Sequence, residues 1–165
     1  MVSPLSHDRF PLKINVGFLI KTPISTSREI NFDLPAISLG SDLNLQRLSG
    51  NAKLTRTPKG ILVQAEFSSS MAAECVRCLD EFDQSLKTNI SELYAFHANS
   101  VTESSLILSE DADIDLQPLL REYLLIEVPI KMICRVDCKG LCTICGENLN
   151  HQTCEHQSEI VRTDL

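Results

Sequence analysis

The sequence predicts an α+β fold in which an antiparallel, hairpin-rich β-sheet carries one longer helix and a cysteine-rich C-terminal tail. Alternating apolar and polar segments are separated by turn-forming residues, one segment has helical spacing, and five of the seven cysteines lie within residues 134–156. At 165 residues and 18.4 kDa, the chain has the size of one domain. We therefore expect a single domain, with an α+β core over residues 1–133 and a tail over residues 134–165 that packs on it.

The N-terminal half predicts one short helix followed by strands. An amphipathic helix is expected over about residues 14–22 and ends before Pro23, because apolar residues recur at helical spacing. The segment "REINFDLP" alternates and predicts a strand. Residues 43–69 predict a strand, a turn and a second strand. The turn is "TPKG", since Pro presets one backbone dihedral angle and Gly tolerates a positive one.

The segment after residue 70 predicts a further strand. Apolar residues from Phe82 to Tyr94 share one strand face, although their spacing also fits a helix. We favour the strand, because "KTNIS" is rich in poor helix formers and because a C-x2-C pair suits the end of a β-hairpin. An acidic segment over residues 97–117 then predicts a surface loop.

The longer helix is predicted within "DIDLQPLLREYLLIEVP". Asp115 is the expected N-cap, Pro118 lies in the first turn, and Pro129 ends the helix or starts the next strand. Five residues of this segment are expected to be buried: Leu119, Leu120, Tyr123, Leu124 and Leu125.

The charge distribution bears on possible partners. A net charge of −7 opposes non-specific binding to nucleic acid, which depends mainly on Lys and Arg. Residues 97–117 contain five acidic side chains and no Lys or Arg. Basic residues lie instead close to the cysteines. The candidates for contact with RNA or another partner are Arg77, Lys131, Arg135 and Lys139, with Arg121 as an additional one.

Location in the cytosol is the expectation from the sequence. The longest strongly apolar run, "VGFLI", is too short to cross a bilayer, and the first residues lack a secretion signal. We therefore expect a cytoplasmic protein without a membrane partner, in a compartment that keeps thiols reduced.

The cysteines predict a metal site. Two C-x2-C pairs in a reducing compartment are typical of structural zinc sites, in which four thiolates surround the ion and leave no position for water. The expected ligands are Cys75, Cys78, Cys142 and Cys145, and the tail would be a zinc knuckle attached to the hairpin. An alternative shell lies wholly in the tail and consists of Cys138, Cys142, Cys145 and Cys154. The roles of Cys134, Cys138, Cys154, His151 and His156 stay open.

Three segments, "ECVRCLDEF", "DIDLQPLLREYLLIEVPI" and "CRVDCKGLCTICGENLN", occur in this order, and together they resemble the YceD-like family, the large ribosomal RNA subunit accumulation proteins. The opening "INVGFLIKTPISTSREINFDL" is similar to that family's first segment. The resemblance implies a bacterial or organellar protein associated with large-subunit ribosomal RNA and gives Cys75, Cys78, Cys142 and Cys145 the metal role. It implies no catalytic residue.

The leading hypothesis is a non-enzymatic factor that supports the synthesis, processing or stability of large-subunit (23S-type) ribosomal RNA during ribosome biogenesis. Its partner would be the RNA, bound by the basic residues, or a basic large-subunit ribosomal protein, bound by the acidic residues 103–115. No small-molecule substrate is expected. The alternatives are a zinc-ribbon adaptor unrelated to the ribosome and a thiol redox or zinc enzyme. The enzyme is disfavoured because no H-E-x-x-H motif is present and a four-sulfur site is closed.

Overall fold

The computed structural model describes residues 11–156. The first ten residues and residues 157–165 of the predicted tail lie outside this range, and the predicted boundary at residue 133 stays a prediction. A 3₁₀ turn spans Ala98–Ser100. The other elements, in chain order, are β1 (Lys13–Asn15), α1 (Gly17–Ile20), β2 (Ser27–Leu34), β3 (Ile37–Ser38), β4 (Asn44–Leu45), β5 (Arg47–Arg56), β6 (Gly60–Glu74), β7 (Glu81–Ala95), β8 (Asp113–Asp115) and α2 (Leu116–Glu127).

The predicted antiparallel sheet is confirmed. Its four strands lie in the order β2-β5-β6-β7, and each pairs with its neighbour in antiparallel register. Two small two-stranded sheets, β1-β8 and β3-β4, were not predicted from the sequence. Their strands have only two or three residues, which is too short for a recognisable alternation.

The hairpin of β6 and β7 is the longest feature of the sheet. Its two strands pair without interruption from Gly60 opposite Ala95 to Glu74 opposite Glu81. Strand β5 pairs with β6 only as far as Ser70. The last four residues of β6 therefore extend beyond β5 and carry the first C-x2-C pair to the tip of the hairpin, where the sequence placed it.

One face of the sheet is buried and the other is polar. Inward residues of the strands, such as Leu54, Val63 and Ile90, belong to one hydrophobic core together with α1 and α2. The outward face is exposed, and it carries, among others, Asn51, Lys53, Gln64, Glu66 and Asn89. No described side chain of this outward face joins the core, as the alternating pattern predicts for an antiparallel sheet.

The longer helix agrees closely with the sequence pattern. The side chain of Asp115 accepts a hydrogen bond from the backbone N–H of Gln117, as expected of the N-cap. The residues predicted to face the core are buried or half-buried, and Leu120 and Leu124 are fully buried. Helix α2 packs mainly against β7.

The helix predicted over residues 14–22 is too long. Only Gly17–Ile20 is helical. The residues before this helix form the extended strand β1, because Ile14 pairs with Ile114 of β8. The expected reason for the glycine of "TPKG" is also wrong. Gly60 does not have a positive φ. It is required because a Cβ there would lie 2.1 Å from the carbonyl oxygen of Tyr94. No helix within residues 11–156 has the length and apolar character needed to cross a membrane.

Candidate metal centres

The loop between β6 and β7 forms a knuckle around the first C-x2-C pair. The backbone N–H of Cys75 donates to the carbonyl of Asp80 at 2.9 Å, and the N–H of Leu79 donates to the carbonyl of Cys75 at 2.9 Å. Leu79 has a φ of 60°, in the left-handed region that leucine rarely adopts. The loop therefore tolerates an unfavourable backbone conformation in order to place Cys75 and Cys78 on one side.

The second C-x2-C pair repeats this hydrogen-bond pattern. The N–H of Cys142 donates to the carbonyl of Glu147 at 2.8 Å, and the N–H of Gly146 donates to the carbonyl of Cys142 at 2.9 Å. Gly146 has a φ of 76° at the position equivalent to Leu79. Two knuckles of one backbone design thus lie in the described residues, and each brings two cysteine side chains to one side of its loop.

The first knuckle forms one set with two cysteines from beyond α2. We call Cys75, Cys78, Cys134 and Cys138 the first cysteine set, and their sulfur atoms lie within 4.8 Å of one another. Two of these separations are 3.8 Å, from Cys75 to Cys138, and 3.6 Å, from Cys78 to Cys134. Sulfurs that surround a tetrahedral zinc ion at about 2.3 Å lie roughly 3.8 Å apart, so these distances fit the ion.

Hydrogen bonds hold Cys134 and Cys138, which follow α2 in the chain, against the first knuckle. The N–H of Val76 donates to the carbonyl of Met132 at 2.9 Å, and Nη1 of Arg77 donates to the carbonyl of Cys138 at 3.1 Å. The carbonyl of Arg77 accepts from the N–H of Leu141 at 3.0 Å. The chain after α2 therefore docks on the hairpin loop on both sides of Cys134 and Cys138.

The four thiols of the first cysteine set differ in the direction in which their pKa is shifted. Burial raises the pKa of Cys75, but backbone N–H groups, led by that of Cys134, outweigh it and lower this pKa to about 6. The side-chain amide of Asn150 lies 3.4 Å from the sulfur of Cys138 and is the largest cause of a lowered pKa there. Burial raises the pKa of Cys78 and of Cys134. Hydrogen bonding thus lowers the pKa at two of the four sulfurs, and burial raises it at the other two.

The second knuckle forms a separate set. We call Cys142, Cys145, Cys154 and His156 the second cysteine set, and their ligand atoms also lie within 4.8 Å of one another. It is more open than the first, because Cys145 is exposed whereas Cys75, Cys78 and Cys138 are buried. Cysteine clusters that could hold a metal ion are therefore present at two places in the described residues.

The predicted ligand groupings differ from this arrangement. Cys75 and Cys78 do not join Cys142 and Cys145, and the structure gives each knuckle its own partners. The alternative shell also differs, since Cys138 belongs to the first set and His156 completes the second. The physical reason is that Cys138 is fixed on Arg77 beside the first knuckle, a contact that cysteine spacing cannot reveal.

Two asparagines, Asn148 and Asn150, connect the knuckles, and their role was not predicted from the sequence. Nδ2 of Asn148 donates to both carboxylate oxygens of Asp80, at 2.9 and 3.0 Å. Oδ1 of Asn150 accepts from the N–H of Lys139 at 2.8 Å and from Nη2 of Arg135 at 3.0 Å. The short motif "NLN" therefore fixes the second knuckle against the first.

The four basic candidates do come together. Arg77, Lys131, Arg135 and Lys139 all lie in what we call the cysteine lobe, residues 75–80 and 130–156. The lobe contains an equal number of acidic residues, which are Asp80, Asp137, Glu147 and Glu155. Arg121 is elsewhere and forms an ion pair with Asp42 at 2.7 Å. The lobe is therefore balanced in charge.

The acidic segment is less available than its composition suggests. Asp113 accepts a hydrogen bond from the side chain of Asn15 and pairs with Lys13 at 2.9 Å, and Asp115 caps α2. Both residues lie in β8 and not in the predicted surface loop. Glu103, Glu110 and Asp111 are exposed in the loop, as predicted.

One family profile matches more than half of the chain. The family profile described as "Large ribosomal RNA subunit accumulation protein YceD" matches residues 63–164. An uncharacterized protein of Mycobacterium leprae is 31% identical over 156 residues, which cover 90% of this chain and 69% of that protein. No solved structure matches the chain.

Two more distant relatives match shorter parts of the chain. A chloroplastic maize protein named large ribosomal RNA subunit accumulation protein YCED homolog 1 is 40% identical over 40 residues, 24% of this chain and 14% of that protein. The uncharacterized protein YlbN of Bacillus subtilis is 26% identical over 89 residues, which cover 53% of this chain and 51% of that protein. The chain, with its β6–β7 hairpin and both cysteine sets, belongs to the YceD family of large ribosomal RNA subunit accumulation proteins.

Proposed function

We propose that this protein is a non-enzymatic factor of the bacterial cytoplasm that supports the synthesis, processing or stability of large-subunit (23S-type) ribosomal RNA during ribosome biogenesis. The observation that carries this proposal is the family match over residues 63–164, a range that contains β7, α2 and every cysteine. The family is named for the accumulation of ribosomal RNA and not for a reaction.

The chemistry of the cysteine sets supports a structural role. A catalytic zinc ion keeps one position open for water or substrate, whereas four protein ligands close its shell. In residues 11–156, the groups that bring three or more metal-ligating side chains together are the two cysteine sets, and each has four donors. We propose zinc at the first cysteine set, where the ion would hold the cysteine lobe on the β6–β7 hairpin.

The surface of the lobe favours a protein partner over direct binding to RNA. RNA binding normally needs an excess of basic side chains, and the lobe has as many acidic residues as basic ones. It also exposes several large apolar side chains, which are Val76, Leu79, Ile130, Val136 and Ile144. All five lie in this lobe, and exposed apolar patches are typical of protein interfaces. We propose that the lobe binds a large-subunit ribosomal protein through these apolar side chains. The exposed acidic residues Glu103, Glu110 and Asp111 are the feature that favours a basic protein as this partner.

The role in RNA accumulation is tested in a bacterial strain that lacks its own copy of the gene. The ratio of 23S to 16S ribosomal RNA should fall in this strain and recover with the wild-type protein. A Cys134→Ser/Cys138→Ser variant should fail to restore the ratio. A Lys53→Ala/Gln64→Ala variant, altered on the outward face of the sheet, is the control that should restore it. An unchanged ratio in the strain without the gene would contradict the proposal.

The choice of partner is tested by co-sedimentation with precursors of the large subunit. An Ile130→Ser/Val136→Ser variant removes exposed apolar contacts, and a Lys131→Glu/Lys139→Glu variant reverses two charges. Binding through a protein should be lost in the first variant and largely retained in the second. The opposite result, with a steep dependence on salt, would indicate direct contact with RNA. Recovery of a protein unrelated to the ribosome, without precursors, would favour the adaptor hypothesis.

A further inference from the structure

The second cysteine set has the backbone of a metal knuckle. The loop from Cys142 to Glu147 is closed by the same two hydrogen bonds as the loop of the first set, and Gly146 has the left-handed conformation that this closure needs. A bridge between Leu141 and Asn148 forms the base of the loop. This arrangement directs Cys142 and Cys145 to one side, where Cys154 and His156 lie.

The side chain of His156 gives an independent indication of a ligand. Its Nδ1 is buried and has no hydrogen-bond partner, and within residues 11–156 it is the one buried side-chain nitrogen or oxygen in this condition. A buried polar atom without a partner costs about 1–3 kcal/mol, and native structures rarely leave one. His151 differs, because its ring is exposed and its Nε2 lies 3.1 Å from Asp80. A metal ion bound to Nδ1 would satisfy the buried atom.

We infer that the chain holds a second metal ion, ligated by the thiolates of Cys142, Cys145 and Cys154 and by Nδ1 of His156. Three thiolates and one imidazole are a standard shell for structural zinc. The inference goes beyond the proposed function, because it concerns a second centre that neither the RNA role nor the first cysteine set requires.

The electrostatics of the set suit a cation. The backbone N–H groups of Cys145 and then Ile144 lower the pKa of Cys142 to about 6, although burial acts against them. Burial raises the pKa of Cys154, and hydrogen bonding to Cys142 adds to this effect. Binding of the ion requires all three sulfurs as thiolates, so it would release their remaining protons.

The two centres differ in their protection from solvent. The first set is packed against Phe82 and Ile133, whereas Cys145 and its neighbour Ile144 are exposed in the second. A chelator or a competing thiol reaches exposed ligands first. The second centre should therefore lose its metal before the first as the chelator concentration is raised.

The test is metal stoichiometry of the full chain, purified with zinc and measured by elemental analysis and native mass spectrometry. Wild type should carry two zinc ions, and His156→Ala should carry one. His151→Ala is the matched control, and it should keep both ions. His156→Cys, which restores a ligand, should also keep both. Saturation of wild type at one ion would overturn the inference.

Cobalt substitution identifies the ligands even where a variant is unstable. Wild type should take up two equivalents of Co²⁺ with thiolate charge-transfer absorption. A Cys75→Ser/Cys78→Ser variant should retain one equivalent, with a spectrum typical of three sulfurs and one nitrogen. If that variant took up no cobalt, or showed a four-sulfur spectrum, the assignment of His156 would be wrong. These readings are independent of ribosomal RNA, so they distinguish failure of the second centre from failure of the proposed function.

Discussion

The side chain of Asn148 donates hydrogen bonds to both carboxylate oxygens of Asp80, although the two residues are 68 positions apart in the chain. Asp80 ends the first knuckle loop and Asn148 follows the second. These bonds are the largest cause of the lowered pKa of Asp80, followed by the hydrogen bond from Cys78. They join the two knuckles, so the cysteine lobe depends on them for its orientation on the hairpin.

Replacing Asn148 by Ala should loosen the second knuckle without unfolding the sheet. Amides of residues 141–149 should exchange with solvent faster by a factor of about five, since one hydrogen-bonded contact between loops is lost. Amides of β5 and β6 should be unchanged. Hydrogen–deuterium exchange measures both regions in one experiment. Asn31→Ala, on an exposed strand residue, is the control, and equal exchange in the two variants would contradict the prediction.

Leu79 should be replaceable by Gly at little or no loss of stability. The left-handed conformation costs leucine about 1–2 kcal/mol, and Gly removes this cost while it adds roughly 0.5–1 kcal/mol of chain entropy to the unfolded state. Thermal unfolding should therefore rank Leu79→Gly at or above wild type and the β-branched Leu79→Val below it.

The reverse substitution in the second knuckle, Gly146→Leu, is the matched control for Leu79→Gly. A Cβ added to Gly146 would meet no atom within 4 Å, so we expect the unfavourable backbone conformation to be the main effect of Gly146→Leu. It should lower stability by about 1 kcal/mol. A stabilising effect of Gly146→Leu would show that the left-handed conformation does not lower the stability of the knuckles.

Removal of metal should release the cysteine lobe and leave the sheet folded. The first cysteine set lies in its own small cluster with Phe82 and Ile133, apart from the main core. Structural zinc supplies on the order of 10 kcal/mol of folding free energy to the segment that it closes. Limited proteolysis after chelation should therefore cut residues 130–156 and spare β5 and β6. Protection of the lobe after complete metal removal would exclude a metal clip.

The main core should respond to substitutions in α2 according to burial. Leu120 is fully buried, and Leu120→Ala should lower the free energy of unfolding by about 2–5 kcal/mol, because it leaves a cavity. Ile126 lies on the same helix and its side chain is 80% exposed, so Ile126→Ala should have an effect below about 0.5 kcal/mol. Chemical denaturation of the two variants compares them directly. Similar losses in both would show that α2 packs differently.

Local sequence patterns were enough to predict the elements whose structure depends on residues close together in the chain. The alternation of apolar and polar residues predicted β6 and β7, and the capping residue Asp115 predicted the start of α2. Strand β1 was missed because it exists through pairing with β8, about a hundred residues later, and three residues carry no periodic signal.

The ligand groupings could not be predicted for a different reason. Two C-x2-C pairs can share one ion or hold one each, and spacing alone does not distinguish these cases. The deciding contacts are hydrogen bonds that Arg77 and Asn150 make with the turn around Cys138. The signal that was available is the C-x3-C spacing of Cys134 and Cys138, which matches a second pair of ligands for the hairpin knuckle.

The two cysteine sets also differ in how far apart their members are along the chain. The second set comes from one continuous segment, residues 142–156, so all four of its side chains lie close together along the chain. The first set joins Cys75 to Cys138, 63 positions later, and needs β7 and α2 to be in place. Distant contacts of this kind form slowly. Cys75 and Cys78 therefore spend the early life of each nascent chain as unprotected thiols, and that interval is when oxidation or a wrong metal would do the most harm.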